Sequence, residues 1–115
     1  MIKMICLLKR KDGMSHEEFM RHWRSVHGPL AVGIASIRRY VQSSIREEQS
    51  RPDIPDIAAD IDGIAELWFD DQEAMTASQY DPAMQRLLAD GATFIGEIKT
   101  LIVDETEIVP SVAAK

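Results

Sequence analysis

Three side chains have the types and settings from which a proton-transfer site could be built: His27, Tyr40 and Glu66. A histidine that changes charge near neutrality can serve as general acid or base. A tyrosine hydroxyl can donate a hydrogen bond to developing oxyanion charge. A carboxylate set between Ala65 and Leu67 is costly unless it is paired, hydrogen-bonded or protonated, and carboxylates with shifted pKa values serve acid–base sites. Together the three could move a proton beside a carbonyl group. Each also has a plainer reading. His27 could cap the last carbonyls of its helix or bond the Gly28-Pro29 turn, Tyr40 could be packing alone, and Glu66 could bridge to a neighbouring strand or to Arg38 or Arg39.

His27 belongs to a helix expected over residues 16–27. Ser15 at the N-cap and Glu18 three residues on form a capping box, and Gly28-Pro29 stops the helix. At ~100° per residue, Trp23 lies about 40° from Phe19, Val26 about 20° to the other side, His22 about 60° away on the side of Val26, and His27 about 80° away. His27 therefore flanks the buried stripe at the C-terminal end, where the helix dipole favours the imidazolium and should raise its pKa. His16, His22 and His27 are six and five residues apart, so they do not share a face as a metal-binding pair would. No metal is expected. No glycine-rich phosphate loop and no Gly-x-Ser-x-Gly elbow occurs, and no cofactor is called for.

The positioning elements follow from periodicity. Met1 to Lys11 carries Ile2, Met4, Cys6 and Leu8 on one face and Ile5 and Leu7 on the other, the pattern of a strand buried on both sides. Ser36 to Arg46, with Ile37, Tyr40, Val41 and Ile45, reads as a second strand, and Ile61 to Phe69 as a third that is again apolar on both faces. Between them, Glu47 to Asp60 is an acidic connection with Pro52 and Pro55. It reads as a solvated loop, although Ile54 and Ile57 could let it cover a pocket as a lid. Asp70 to Glu73 starts a second helical region that includes Met75 and Met84 as core, with a break near Tyr80 because Asp81-Pro82 caps it afresh. Glu97 to Val109 is the fourth strand.

The order β-α-β-β-α-β is that of a ferredoxin-like α+β domain with an antiparallel sheet, spanning residues 1–110 and followed by a tail at 111–115. Such a sheet carries helices on one face only. Ile5, Leu7, Ile64 and Trp68 would then lie on the bare face, which two-fold pairing of identical sheets into a dimeric α/β barrel would cover. The barrel interior is the expected pocket, with Glu66 inside it and Trp23, Trp68, His22 and Ile64 along its walls.

Composition narrows the partners. The net charge is −6 and the longest basic run is Lys9-Arg10-Lys11, so neither nucleic acid nor an anionic membrane surface is an expected partner. Cys6 is the sole cysteine and can form no internal disulfide, which suits a reducing, cytoplasmic location. The apolar run from Ile2 to Leu8 is interrupted by Lys3 and followed by charges; it is too short to span a bilayer and lacks the order of a signal peptide.

These residues resemble the EthD family of the dimeric α+β barrel group. The resemblance rests on Phe19-x-x-His22-Trp23-x-x-x-His27-x-Pro29-Leu30, on Gly63-x-x-Glu66-x-Trp68-Phe69 and on Phe94-x-Gly96, and it covers about residues 1–109. It implies a homodimeric barrel. The family is named for a role in ether degradation, and the group includes cofactor-free enzymes. The order of a histidine after the first helix, a tyrosine on the second strand and a glutamate before Trp-Phe on the third is similar to the methylmuconolactone methylisomerase family. By that likeness His27, Tyr40 and Glu66 would be catalytic, although here His27 is followed by Gly28-Pro29-Leu30 and Trp23 occupies the helix face. The implied function is a cofactor-free isomerase or lyase acting on a small, mostly apolar carbonyl or lactone intermediate of aromatic or xenobiotic degradation. The alternative is an accessory protein that binds such a ligand without converting it.

Overall fold

The computed structural model describes residues 1–112; the end of the expected tail lies outside them. Four strands, β1 (Ile2–Arg10), β2 (Arg39–Ser44), β3 (Gly63–Phe69) and β4 (Ile95–Val103), form one antiparallel sheet in the order β2-β3-β1-β4. Between β1 and β2 the chain runs through α1 (His16–His22), a π-helical turn (Trp23–His27) and α2 (Gly28–Ala31); α3 (Gln72–Ser78) and α4 (Pro82–Phe94) join β3 to β4. The fold is ferredoxin-like α+β.

Local chemistry explains the boundaries. Gly13, at φ 84°, adopts the left-handed conformation that reverses the chain after β1. The Ser15 hydroxyl accepts the Glu18 N–H while Glu18 accepts the Ser15 N–H, completing the capping box. Asp71 and Asp81 cap α3 and α4 in turn, so the second helical region breaks between Ser78 and Pro82. The first region does not stop at Gly28-Pro29 as expected, but continues to Ala31. Pro29 is tolerated because it enters at the first turn of α2, where a missing N–H costs little.

The sheet's alternation separates its two faces. Cys6, Leu8, Ala65, Leu67 and Phe69 are buried beneath the helices with Phe19, Met20, Trp23, Met75, Met84, Leu87 and Phe94. Ile5, Leu7, Ile64, Glu66 and Trp68 point the other way and are only partly covered within one chain. Residues 45–62 lead back from β2, and Asp62 anchors their end. Its carboxylate, 3% exposed, accepts from the Arg10 backbone N–H at 2.8 Å, the Arg10 guanidinium at 2.6 Å and His16 Nδ1 at 2.8 Å. Burial alone would raise its pKa, but these donors outweigh burial and hold it below the usual carboxylate value. Ile54 and Ile57 remain exposed and cover no pocket.

Candidate active site

The π-helical turn decides where the histidines go. In an α-helix, residues five apart point about 140° away from each other. Here the Gly28 N–H reaches back to the Trp23 carbonyl, an i to i+5 bond that widens the turn. His22 and His27 consequently converge on one carboxylate, that of Asp90 on α4. His27 Nδ1 lies 2.8 Å from Asp90 Oδ2, and His22 Nε2 lies 3.0 and 3.1 Å from the two carboxylate oxygens. Phe94 packs against both imidazoles, with ring centroids 4.5 Å from His22 and 5.1 Å from His27. The expectation that the two histidines occupy separate faces is thereby corrected. Val26, placed on the buried stripe by α-helical spacing, is instead 48% exposed, while His27 is buried.

A carboxylate only accepts, so Asp90 requires the proton on His27 Nδ1 and leaves Nε2 as the basic nitrogen. Burial lowers the His27 pKa, and attraction to Asp90 only partly offsets it. The expected rise from the helix dipole does not occur, because the helix runs on past His27 and the ring is desolvated. The ring is therefore neutral at pH 7, in the tautomer suited to accepting a proton.

His27 lines a cavity of about 560 Å³ between the sheet and the helices. Tyr40 and Trp23 line it too, and apolar side chains such as Met4, Leu67, Met75 and Leu87 supply most of the remaining wall. Gln42 fixes the polar end. Its Nε2 donates to the Trp23 carbonyl at 2.8 Å and to the Tyr40 hydroxyl at 3.0 Å, tying β2 to the π-helical turn. Gly28 leaves room for this amide, since a Cβ there would lie 3.1 Å from Gln42 Nε2. The Trp23 indole N–H is buried with no hydrogen-bond partner among the described residues. Because its oxygen accepts from Gln42, the Tyr40 hydroxyl keeps its own hydrogen for another acceptor, and it stands on the cavity wall. Burial raises the Tyr40 pKa more than its donors lower it, so it remains a phenol.

The other expected residues are placed differently. Glu66 is not in the cavity: it lies across the sheet, paired with Lys3 rather than with Arg38 or Arg39. Arg38 instead bonds Asp70, at 3.0 and 2.8 Å. Trp68 and Ile64 share the face of Glu66, and Trp68 Nε1 donates to Glu105 at 2.6 Å. His22 stands behind Asp90, not on the cavity wall. The expectation of one pocket shared by His27, Tyr40 and Glu66 fails because the strand alternates: position 66 faces away from positions 65 and 67. Cys6 does line the cavity, with a thiol pKa pushed up by burial, so it is no ready nucleophile. Among the described residues no group of three or more His, Cys, Asp or Glu side chains could hold a metal ion.

Asp90 and Gln42 escaped the sequence reading. Asp90-Gly91 inside a helix was the available signal for the first, because both residues are poor helix formers and the pair costs stability unless it has another use. Gln42 offered no signal.

The geometry agrees with what the chain is similar to. The EthD domain family model matches residues 11–97. The chain belongs to the EthD family. Among its relatives is the 4-carboxymethyl-4-methylbutenolide mutase of Pseudomonas reinekei, 26% identical over 106 residues that cover 91% of this chain and 98% of that one. Solved structures with the same fold include an EthD family protein of Bacillus halodurans, at TM-score 0.73 and 20% identity, covering 92% of this chain and 99% of that one. A dimeric ferredoxin-like protein of Thermobifida fusca matches at TM-score 0.68 and 16% identity, covering 89% and 88%.

Proposed function

We propose that this EthD protein is a cofactor-free isomerase or lyase that moves a proton on a small carbonyl or lactone compound. The reading is carried by one observation: His27, with Nδ1 held 2.8 Å from Asp90, shares a cavity with the Tyr40 hydroxyl. His27 Nε2 would take a proton from the carbon next to the carbonyl, leaving the electron pair as a dienolate or enolate whose oxygen accepts the Tyr40 O–H. Return of the same proton to a different carbon completes an isomerisation without any redox partner. Trp23 and the apolar wall exclude water from the intermediate. The butenolide mutase relative supports a lactone as the substrate type.

Association with a second copy fits the same picture. The face bearing Ile5, Leu7, Ile64 and Trp68 around the Lys3–Glu66 pair is only partly covered, and similar folds are described as dimeric. A homodimer closed over that face, working in the cytoplasm, is the proposed form. No helix is long and apolar enough to cross a membrane among the described residues.

The test uses α-angelica lactone, an unsaturated five-membered lactone whose isomerisation to the conjugated form needs only a proton shift. The wild-type protein should accelerate the shift, followed by ultraviolet absorbance. His27→Ala should abolish the acceleration and elute at the same size as the wild type. Unchanged turnover in that variant removes His27 from the mechanism.

A further inference from the structure

The cavity wall has a charge character that narrows the ligand. Among the described residues nineteen line it, and none of these is Lys or Arg. Its polar groups are the His27 ring, the Tyr40 hydroxyl, the Trp23 indole N–H, the buried Cys6 thiol and Ser78, and the exposed Thr76 and Gln79 near α3. The Asp90 carboxylate stands behind the His27 ring, 2.8 Å from Nδ1. Arg24, the basic residue of the π-helical turn, is engaged elsewhere by Ser44 at 3.1 Å. A carboxylate entering this site would lose its hydration, find no cation among the described wall residues and meet a like charge one ring away, all unfavourable in an apolar setting.

A neutral carbonyl oxygen meets the opposite reception. The Tyr40 hydroxyl oxygen accepts from Gln42 Nε2 at 3.0 Å, which leaves its own hydrogen free to be donated. That hydrogen has no acceptor within the chain among the described residues.

We infer that this cavity selects an uncharged lactone or ketone, its carbonyl oxygen on the Tyr40 hydroxyl, and rejects the carboxylate-bearing analogue. The inference rests on the proposed carbonyl-binding site. It also separates the chain from its butenolide mutase relative, whose named compound carries a carboxymethyl group. Wall charge is then the specificity determinant, and Gln42 is a positioning residue that aims the hydroxyl.

The test is a titration of the full-length protein at pH 7 with two saturated lactones, chosen so that no turnover intervenes. One is γ-valerolactone; the other is the same ring with carboxymethyl in place of methyl. Binding is read from the two tryptophan indole N–H signals in nitrogen–proton correlation spectra, assigned with Trp68→Phe. The Trp23 signal should move with γ-valerolactone, while that of Trp68, across the sheet on Glu105, stays as an internal control. The carboxylate should bind at least about tenfold more weakly. Gln79→Lys, an exposed wall position at the C-cap of α3, should narrow that ratio by supplying the missing cation. Equal or tighter binding of the carboxylate by the wild type overturns the inference, as does a Trp23 signal that stays still in saturating γ-valerolactone. A ratio unmoved by Gln79→Lys also counts against it. Neutral-selective binding without any isomerisation of α-angelica lactone would instead sink the proposed activity and leave the charge selectivity standing.

Discussion

Asp90→Asn tests the dyad most directly, because it removes a charge while keeping the shape. The carboxylate now serves two imidazoles, His27 at 2.8 Å and His22 at 3.0 Å. The amide can offer a carbonyl oxygen to one of them and must present its NH2 to the other. If the NH2 faces His27, Nδ1 has to accept, the ring proton shifts to Nε2, and the base becomes a donor. The His27 and Asp90 side chains are only 10% and 16% exposed, so water does little to soften the change. A wrongly protonated base of this kind costs about 10²–10⁴ in kcat/KM, or about 3 to 5 kcal/mol of barrier.

The pH profile supplies a readout that a merely structural Asp90 would not move. His27 acts as a base in its neutral form, so kcat/KM rises with pH as the imidazolium loses its proton. Burial lowers the His27 pKa and Asp90 pushes it partly back up. Removing the carboxylate charge leaves burial unopposed, so the acid limb of the profile should shift to lower pH as the plateau falls. The assay is isomerisation of α-angelica lactone across pH 4.5 to 8, with thermal melting at each pH to exclude unfolding. A variant with a wild-type plateau and an unmoved acid limb would refute the claim that Asp90 sets the protonation of His27.

Three further substitutions probe the rest of the arrangement. Tyr40→Phe should lower kcat about 10²-fold with little change in melting temperature, since Gln42 keeps its bond to the Trp23 carbonyl at 2.8 Å; an unaltered kcat would dismiss the hydroxyl as oxyanion donor. Gly63→Ala should destabilise the protein by about 1–3 kcal/mol in urea unfolding, because a Cβ there would lie 2.5 and 2.7 Å from atoms of the Trp23 ring and 3.2 Å from the Ser43 carbonyl. A wild-type midpoint would mean that the indole has room to shift. Glu66→Gln should leave kcat/KM within about threefold of the wild type, because the carboxylate is paired with Lys3 across the sheet from the cavity; a hundredfold loss would return Glu66 to the mechanism.

The legible part of this protein was whatever obeys a regular period or a local rule. Ile2, Met4, Cys6 and Leu8 against Ile5 and Leu7 revealed β1 and its two apolar faces, and the Ser15–Glu18 pair located the start of α1. Asp81-Pro82 marked the break between α3 and α4 for the same reason. The site was less legible because it depends on an irregularity. One i to i+5 bond at Trp23 swings His27 inward and Val26 outward, and nothing in a 3.6-residue period announces that change. Asp90 becomes meaningful only once α4 is folded against the turn. Glu66 is a related case: β3 is buried on its helix-covered face and partly covered on the other, and the cavity lies on the helix-covered face while Glu66 points away from it.

That division of the sheet has a functional consequence. Along β3, Ala65 and Leu67 line the cavity while Ile64, Glu66 and Trp68 form the face proposed for association. Because successive residues point to opposite sides, the chemistry and the pairing surface can vary independently, residue by residue, within a single seven-residue strand. A substitution at position 64 or 66 therefore changes what the sheet adheres to before it changes what the cavity accepts, and one at 65 or 67 does the reverse. In such a scaffold, relatives with the same outline can hold different ligands, so the wall charge of each cavity tells more about its substrate than the shared fold does.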